Sequence, residues 1–253
     1  MKRSVMRCGL ICGGFLAMAV LFAPVDVAVA DDDDVVTGER LAAVLRAGRS
    51  VISSHQDLIN DETIGEKNLT GDSVVAEALA LYTEREGNPP EGDGLTERDK
   101  LLFDAQIAAM REIVSEYEEL IDTEGVGFKG FIPAIFARLV NERFSEKVGD
   151  LAKTKVTAPD ELVRNRKARP DEWERQVIEE KFLTKDWPKG EAYVEEIDRD
   201  GRKEFRMLIP EYYSASCLTC HGGPKGEVDV TGYPKEGGAE GDLAGAISIT
   251  LYK

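Results

Sequence analysis

The sequence predicts an α+β domain, with helices first and an antiparallel sheet after them. Two patterns carry that expectation. Apolar residues recur at steps of three and four up to about Gly190, and beyond it short alternating runs flank an acidic, glycine-containing turn. The composition agrees, since 253 residues with 42% hydrophobic and 32% charged describe a chain that buries a core. A formal net charge of −16 excludes the basic surface that nucleic acids and anionic membranes attract.

The first thirty residues read as an address. Lys2, Arg3 and Arg7 precede a mostly apolar, uncharged run from Cys8 to Phe22, and Ala28-Val29-Ala30 has the small-x-small pattern of a signal-peptidase site. The run of about 15 residues falls short of the roughly 20 that span a bilayer. Residues 1–30 are therefore expected to be a cleaved signal peptide, leaving no stable membrane span and a periplasmic or secreted product. Cleavage also removes Cys8 and Cys12. What remains is Cys217, Cys220, His55 and His221.

Residues 31–253 are read as one domain, helical over 31–125 and sheet-containing over 126–253. Asp31 to Asp34 is expected to be a solvated acidic tail. Leu41, Leu45, Gly48, Ile52, His55 and Ile59 mark one face of a helix from Gly38 to Ile59. A second helix runs from Asp72 to Tyr82 and stops at the Gly87-Asn88-Pro89-Pro90 cluster. Thr96 with Asp99 forms an N-terminal capping pair, stapled by Leu95, for a helix carrying Phe103, Ile107, Met110, Val114, Tyr117 and Ile121. Gly125 to Gly130 is a loop. Helices follow over Pro133 to Glu146 and Asp171 to Lys181, with Pro170 at the start of the latter. Tyr193 to Ile197 and Lys203 to Ile209 make a hairpin around Asp198-Arg199-Asp200-Gly201, and Ala244 to Leu251 is a closing strand. Ser214 to Gly241, rich in glycine, is expected to be a long irregular loop.

That loop holds the one motif with clear chemistry. Cys217-Leu218-Thr219-Cys220-His221 is C-x-x-C-H, the attachment signature of a covalent c-type haem. Two thiols on one turn of chain can each take a vinyl group, and the adjacent histidine then lies under the iron as proximal ligand. The Gly222-Gly223 backbone can press close to a flat ring. Two other readings compete: a disulfide or redox dithiol, and a structural zinc site using both cysteines and both histidines. A dithiol normally stands between a strand and a helix, whereas glycine and proline follow here. Adjacent ligands such as Cys220 and His221 strain a zinc tetrahedron.

The stretch from Tyr212 to Leu251 resembles the Tll0287-like family. The residues that carry the likeness are the C-x-x-C-H run with Gly222, Lys225-Gly226, Asp229, Thr231-Gly232-Tyr233, and Gly241 to Ile247. Upstream, Arg164-Asn165 and Pro170-Asp171-Glu172-Trp173-Glu174 resemble it too, although Arg166 stands where a proline is expected. The likeness begins near residue 40 and is strongest from 128 onward. It implies a PAS-like α+β domain, an antiparallel sheet with N-terminal and flanking helices, that binds haem c in sensor-type proteins. It implies no reaction.

A c-type iron has a sixth position to fill. His55, otherwise unassigned, is the first candidate. Met207, ten residues before Cys217, is the alternative, and Met110 on its helical stripe is a further one. An open position is the remaining option. Arg164 is expected either to fork onto a haem propionate or to face solvent. Tyr212 and Tyr213 are expected to pack near the ring.

The resulting expectation is an exported protein with one covalent haem c, acting as a redox-responsive sensor or electron-transfer module. No output segment follows Lys253 in the sequence, so the expected partner is a separate redox or signalling protein, met through an acidic surface. A haem enzyme or gas-binding protein with an open sixth position is the alternative. No distal acid–base constellation is visible, which weighs against an enzyme. A haem-free, disulfide-containing interaction module is the third reading.

Overall fold

The computed structural model describes residues 32–253 apart from 91, 93 and 200. The expected leader and its cleavage site lie outside the described residues. Helices come first, as α1 (Asp32–Ser54), a short α2 (Gln56–Asn60), α3 (Gly71–Glu86), α4 (Glu97–Asp122) and α5 (Pro133–Val148). Four strands follow: β1 (Ala152–Thr157), β2 (Tyr193–Arg199), β3 (Arg202–Tyr212) and β4 (Leu243–Tyr252). They form one antiparallel sheet in the order β1-β4-β3-β2. Between β1 and β2 lies α6 (Glu172–Val177), which widens into a π-helical turn at Ile178–Phe182, and α7 (Leu218–His221) sits in the β3–β4 connection. The fold is α+β.

The helix starts follow from local chemistry. Thr96 Oγ1 accepts from the Asp99 N–H at 3.2 Å, while Asp99 Oδ2 accepts from the Thr96 N–H at 2.9 Å. This is the capping pair legible in the sequence. Thr70 and Ser73 form the same device for α3, and Gly87, at φ 76°, ends that helix. Asp171 caps α6 in the same way with Glu174, so Pro170 precedes the helix instead of opening it.

One expectation is corrected at the start. Asp32, Asp33 and Asp34 form the first turn of α1, where carboxylates complement the helix dipole. Asp34 is buried there, with Arg98 at 3.1 Å and Lys253 at 2.9 Å. The ion pairs tie the first helix to α4 and to the residue that follows the last strand.

Strand alternation divides the sheet into two faces. Phe205, Met207 and Ile209 of β3, with Ile247, Ile249 and Leu251 of β4, join the main core beneath α1, α3, α4 and α5. Leu208 and Ala246 point the other way, against Val177, Ile178 and Phe182. Two glycines let α1 approach closely. A Cβ on Gly38 would stand 2.6 Å from the Met207 sulfur, and one on Gly48 would stand 3.0 Å from that of Met110. Burial of each large core side chain contributes about 1.5–3 kcal/mol. At its far end β3 is fixed to α1 by Glu211, which pairs with Arg46 at 2.6 Å and Arg49 at 2.8 Å.

Candidate functional site

The β3–β4 connection is ordered by its own backbone. At its root, the Tyr213 N–H donates to Asp242 O at 2.9 Å and the Gly241 N–H donates to Tyr213 O at 2.8 Å. Entry and exit are thus side by side. Within it, the Gly226 N–H bonds Lys235 O, the Lys235 N–H bonds Glu227 O, and the Asp229 N–H bonds Tyr233 O. These close a small hairpin, which is joined back to the cysteine turn where the Gly238 N–H donates to His221 O at 2.8 Å. The loop is therefore not irregular, as glycine content alone suggests.

The turn 217–221 begins in a 3-10 segment and passes into α7. Residues three apart on such a turn share a face. Cys217 and Cys220 are free thiols, each partly exposed. Burial, then the charge of Asp229, pushes the Cys220 thiol above its ordinary value. The Ser214 hydroxyl lies 3.3 Å from the Cys217 sulfur.

His221 is held on three sides. Its Nδ1 lies 2.9 Å from Glu236 Oε2, its ring stacks on Tyr213 at 5.1 Å between centroids, and the Tyr213 hydroxyl is 3.5 Å from Nδ1. A carboxylate can only accept, so Nδ1 is the donor in this contact, and in the neutral imidazole Nε2 is then the lone-pair nitrogen. No protein partner meets Nε2 among the described residues. Tyr213 is nearly buried, and burial with the Glu236 charge pushes its phenol up to about 12.

Arg164 locks this arrangement. Its Nε and Nη2 donate to the two oxygens of Glu236 at 2.7 and 2.9 Å, Nη1 donates to Asp229 Oδ2 at 2.6 Å, and Nη2 also reaches Cys220 O at 2.9 Å. The guanidinium also lies 5.5 Å from the Tyr233 ring centroid. Asp229 is itself an Asx-type hub, accepting from the N–H and hydroxyl of Thr231 and from the Tyr233 N–H. Burial pushes both carboxyls up, but hydrogen bonds from Thr231 and Arg164 hold Asp229 well below the usual range, and bonds from Arg164 and His221 hold Glu236 below it. Arg164 does not face open solvent. Its donors go to two carboxylates, the Thr231 hydroxyl and a carbonyl inside the loop, so in this structure it serves as the loop's internal brace.

The expected residues fall into two groups. Cys217, Cys220, His221, Tyr213 and Arg164 come together, joined by Glu236 and Asp229. His55 lies among the helices, and Met207 lies on β3 with its side chain in the core between sheet and helices. His55 sits at the α1–α2 break, with Nδ1 2.9 Å from Val51 O and Nε2 3.6 Å from Glu77. Met207 is fully buried with its sulfur against Gly38, and Met110 lies likewise against Gly48. His55 is thus not beside the cysteines as a zinc site would need, and among the described residues no three His, Cys, Asp or Glu side chains gather in a metal-binding group.

Glu236 carried no signal in the sequence. It lies 72 residues from Arg164 and 15 from His221, distances to which no periodicity points. Chemically, the arrangement offers two thiols on one helical turn and an imidazole with a fixed tautomer and an uncommitted nitrogen. Among the described residues, no helix is long and apolar enough to cross a membrane.

No curated protein and no solved structure matches this chain. A family model does, over residues 46–251, which take in the core, Arg164 and the whole cysteine loop, and on that match the chain belongs to the Tll0287-like family.

Proposed function

We propose that the 214–241 loop carries one covalently attached haem c and that the protein is an exported redox module, a sensor or an electron carrier, serving a separate redox or signalling protein. The single observation that carries this reading is the hydrogen bond from His221 Nδ1 to Glu236, which leaves Nε2 uncommitted one residue after the second thiol. The donor set fits the group. Cys217 and Cys220 would hold it as thioethers, and His221 would be its axial ligand, oriented by Glu236 and Tyr213 in the way outer partners orient metal-bound imidazoles. Val228, Val230 and Tyr233 expose large apolar side chains on the same loop, a surface suited to a flat apolar ring or a docking partner. When bound, haem supplies an iron that exchanges one electron between ferric and ferrous states. An anionic partner of His221 makes the imidazole a stronger donor, which favours the ferric state and a low reduction potential.

A second reading has its own support. His55 Nδ1 lies at Val51 O, and Met207 and Met110 are fully buried with their sulfurs against Gly38 and Gly48 of α1. An iron whose sixth position is open to water would bind gases or peroxide, and the module would then report on a ligand.

Two measurements decide these points. Protein expressed with haem-attachment machinery, denatured and stained for covalent haem, is expected to give a signal that disappears in the Cys217→Ala/Cys220→Ala variant. No signal from the wild type would end the proposal. A reduced spectrum with and without carbon monoxide then separates the readings. Indifference to the gas supports electron transfer or redox sensing, and a shifted Soret band supports the open site.

A further inference from the structure

A second polar site lies on the sheet face turned away from α1. Strand register assembles it. Lys153, Thr250 and Arg206 stand side by side across β1, β4 and β3, Ser248 lies one pleat further along β4, and Glu204 one pleat back along β3. These side chains line a cavity of about 110 Å³.

Arg206 is the anomaly. Its side chain is 3% exposed, Nη2 meets Asp171 Oδ2 at 2.8 Å, and the guanidinium stacks 4.2 Å from the Trp173 ring centroid. Yet its Nε and Nη1 are buried and meet no acceptor. A guanidinium is always charged, and buried polar atoms without partners are rare and costly. The neighbours make few bonds within the protein. Glu204 is 8% exposed, and its pairing with Arg199, at 3.8 Å, is beyond hydrogen-bond reach. Ser248 and Thr250 are nearly buried, and their hydroxyls make no hydrogen bond to the described residues; Lys153 is exposed and has no ion pair among them. These groups line the same small space as the carboxylates of Asp171 and Glu174, which are already paired with Arg206, so Glu204 is the carboxylate there without a hydrogen-bond partner among the described residues.

We propose that this cavity binds a small carboxylic acid bearing a second polar group beside its carboxylate, an α-hydroxy or α-amino acid of two or three carbons. The carboxylate takes the ammonium of Lys153 and the hydroxyls of Ser248 and Thr250, and the buried charge of Arg206 lies beneath them. Glu204 accepts the hydrogen of the adjacent hydroxyl or ammonium. Phosphate is disfavoured, because its higher charge would face Glu204, Asp171 and Glu174 together. Six residues of strand, ~20 Å, separate Arg206 from Tyr212, so the site stands apart from the cysteine loop and does not rest on the function proposed for it.

Isothermal titration of the purified protein with glycolate and with glycine tests this, with acetate and inorganic phosphate as comparisons at constant ionic strength. Saturable binding of glycolate or glycine is expected, with acetate about tenfold weaker and phosphate weaker still. Lys153→Gln and Ser248→Ala are each expected to weaken that binding by about tenfold while leaving the melting temperature of the ligand-free protein unchanged. Absence of saturable binding by both acids overturns the proposal, as does unchanged affinity in both variants. Tighter binding of phosphate than of either acid overturns the carboxylate assignment.

Discussion

The helix-facing side of the sheet and the cysteine loop are built on opposite plans. The first buries Phe103, Phe131, Phe136, Phe144 and Phe205 with a large set of aliphatic neighbours. The second has a helical turn of four residues, a short hairpin, and one guanidinium that ties both together. Apolar stabilisation is spread over area and fails gradually. A buried ionic hub is concentrated, because removing one member leaves the others charged, buried and unpaired. The difference teaches that stability of the fold and integrity of the site are separable properties here, and variants can be chosen to move one without the other.

The largest effect is expected in the core. Phe205→Ala removes a fully buried ring between β3 and α1 and should lower global stability by about 3–5 kcal/mol in urea unfolding, with native-state alkylation of Cys217 and Cys220 unchanged. Arg164→Leu should do the reverse. It strands Asp229 and Glu236, at a local cost of about 3 kcal/mol, so exchange of the Gly226 and Gly238 amides should accelerate by roughly a hundredfold while the amides of α4 keep their protection. Faster exchange throughout the molecule in Arg164→Leu would show that the two regions are one cooperative unit.

Acid offers a finer cut. Asp229 ionises well below the ordinary carboxylate value of 3.8, so its contribution to the loop is fully present above that value and declines as pH falls beneath it. Tyrosine fluorescence of the wild type should therefore hold to about pH 4 and change below it, and Asp229→Asn should already show the altered signal at neutral pH. A transition centred near neutrality in the wild type would assign the loop's acid sensitivity to another group.

Glu236→Gln keeps a hydrogen-bond acceptor next to His221 but removes its charge. In haem-loaded protein the reduction potential should rise, with the covalent haem content of the wild type retained. Glu236→Asp should return part of the shift. The smallest effect is expected at His55. His55→Ala loses one hydrogen bond to Val51 O, worth about 0.5–1.5 kcal/mol, and should leave the haem spectrum as it was. A change from low-spin to high-spin would instead make His55 the sixth ligand and join the helical layer to the site.

The parts of this structure legible in the sequence are those written in local periodicity. The helices through 59, 82, 121 and 146, the Thr96–Asp99 cap and the hairpin at Gly201 follow from spacing and turn chemistry. So does the cysteine turn, whose five residues state their own geometry. β1 escaped because Ala152-Lys-Thr-Lys-Val-Thr is a short edge strand whose core-facing residues, Ala152, Thr154 and Val156, are too small and too little apolar to mark the alternation. The order within the 214–241 loop escaped because glycine content reports conformational freedom and says nothing of which backbone groups find each other. Arg164 was singled out, but its partners were not. Ion pairs across 65 and 72 residues are fixed by the tertiary fold, and only the packing of the 159–168 segment against the loop reveals them.

The side-by-side entry and exit of the cysteine loop constrain how news of an event there can travel. Because Tyr213 and Gly241 are stitched to each other and to Asp242, a shift of the turn is cancelled at the root and gives the strands little to pull on. Arg164 is the side chain from elsewhere in the chain that grips the loop's interior by hydrogen bonds among the described residues, so it acts as the tether through which a displaced turn tugs on the segment leading to α6. Arg164 through Cys220 O, and Tyr213 and Glu236 through the His221 ring, thus hold the cysteine turn from outside it, and of the three only Arg164 comes from a distant part of the sequence.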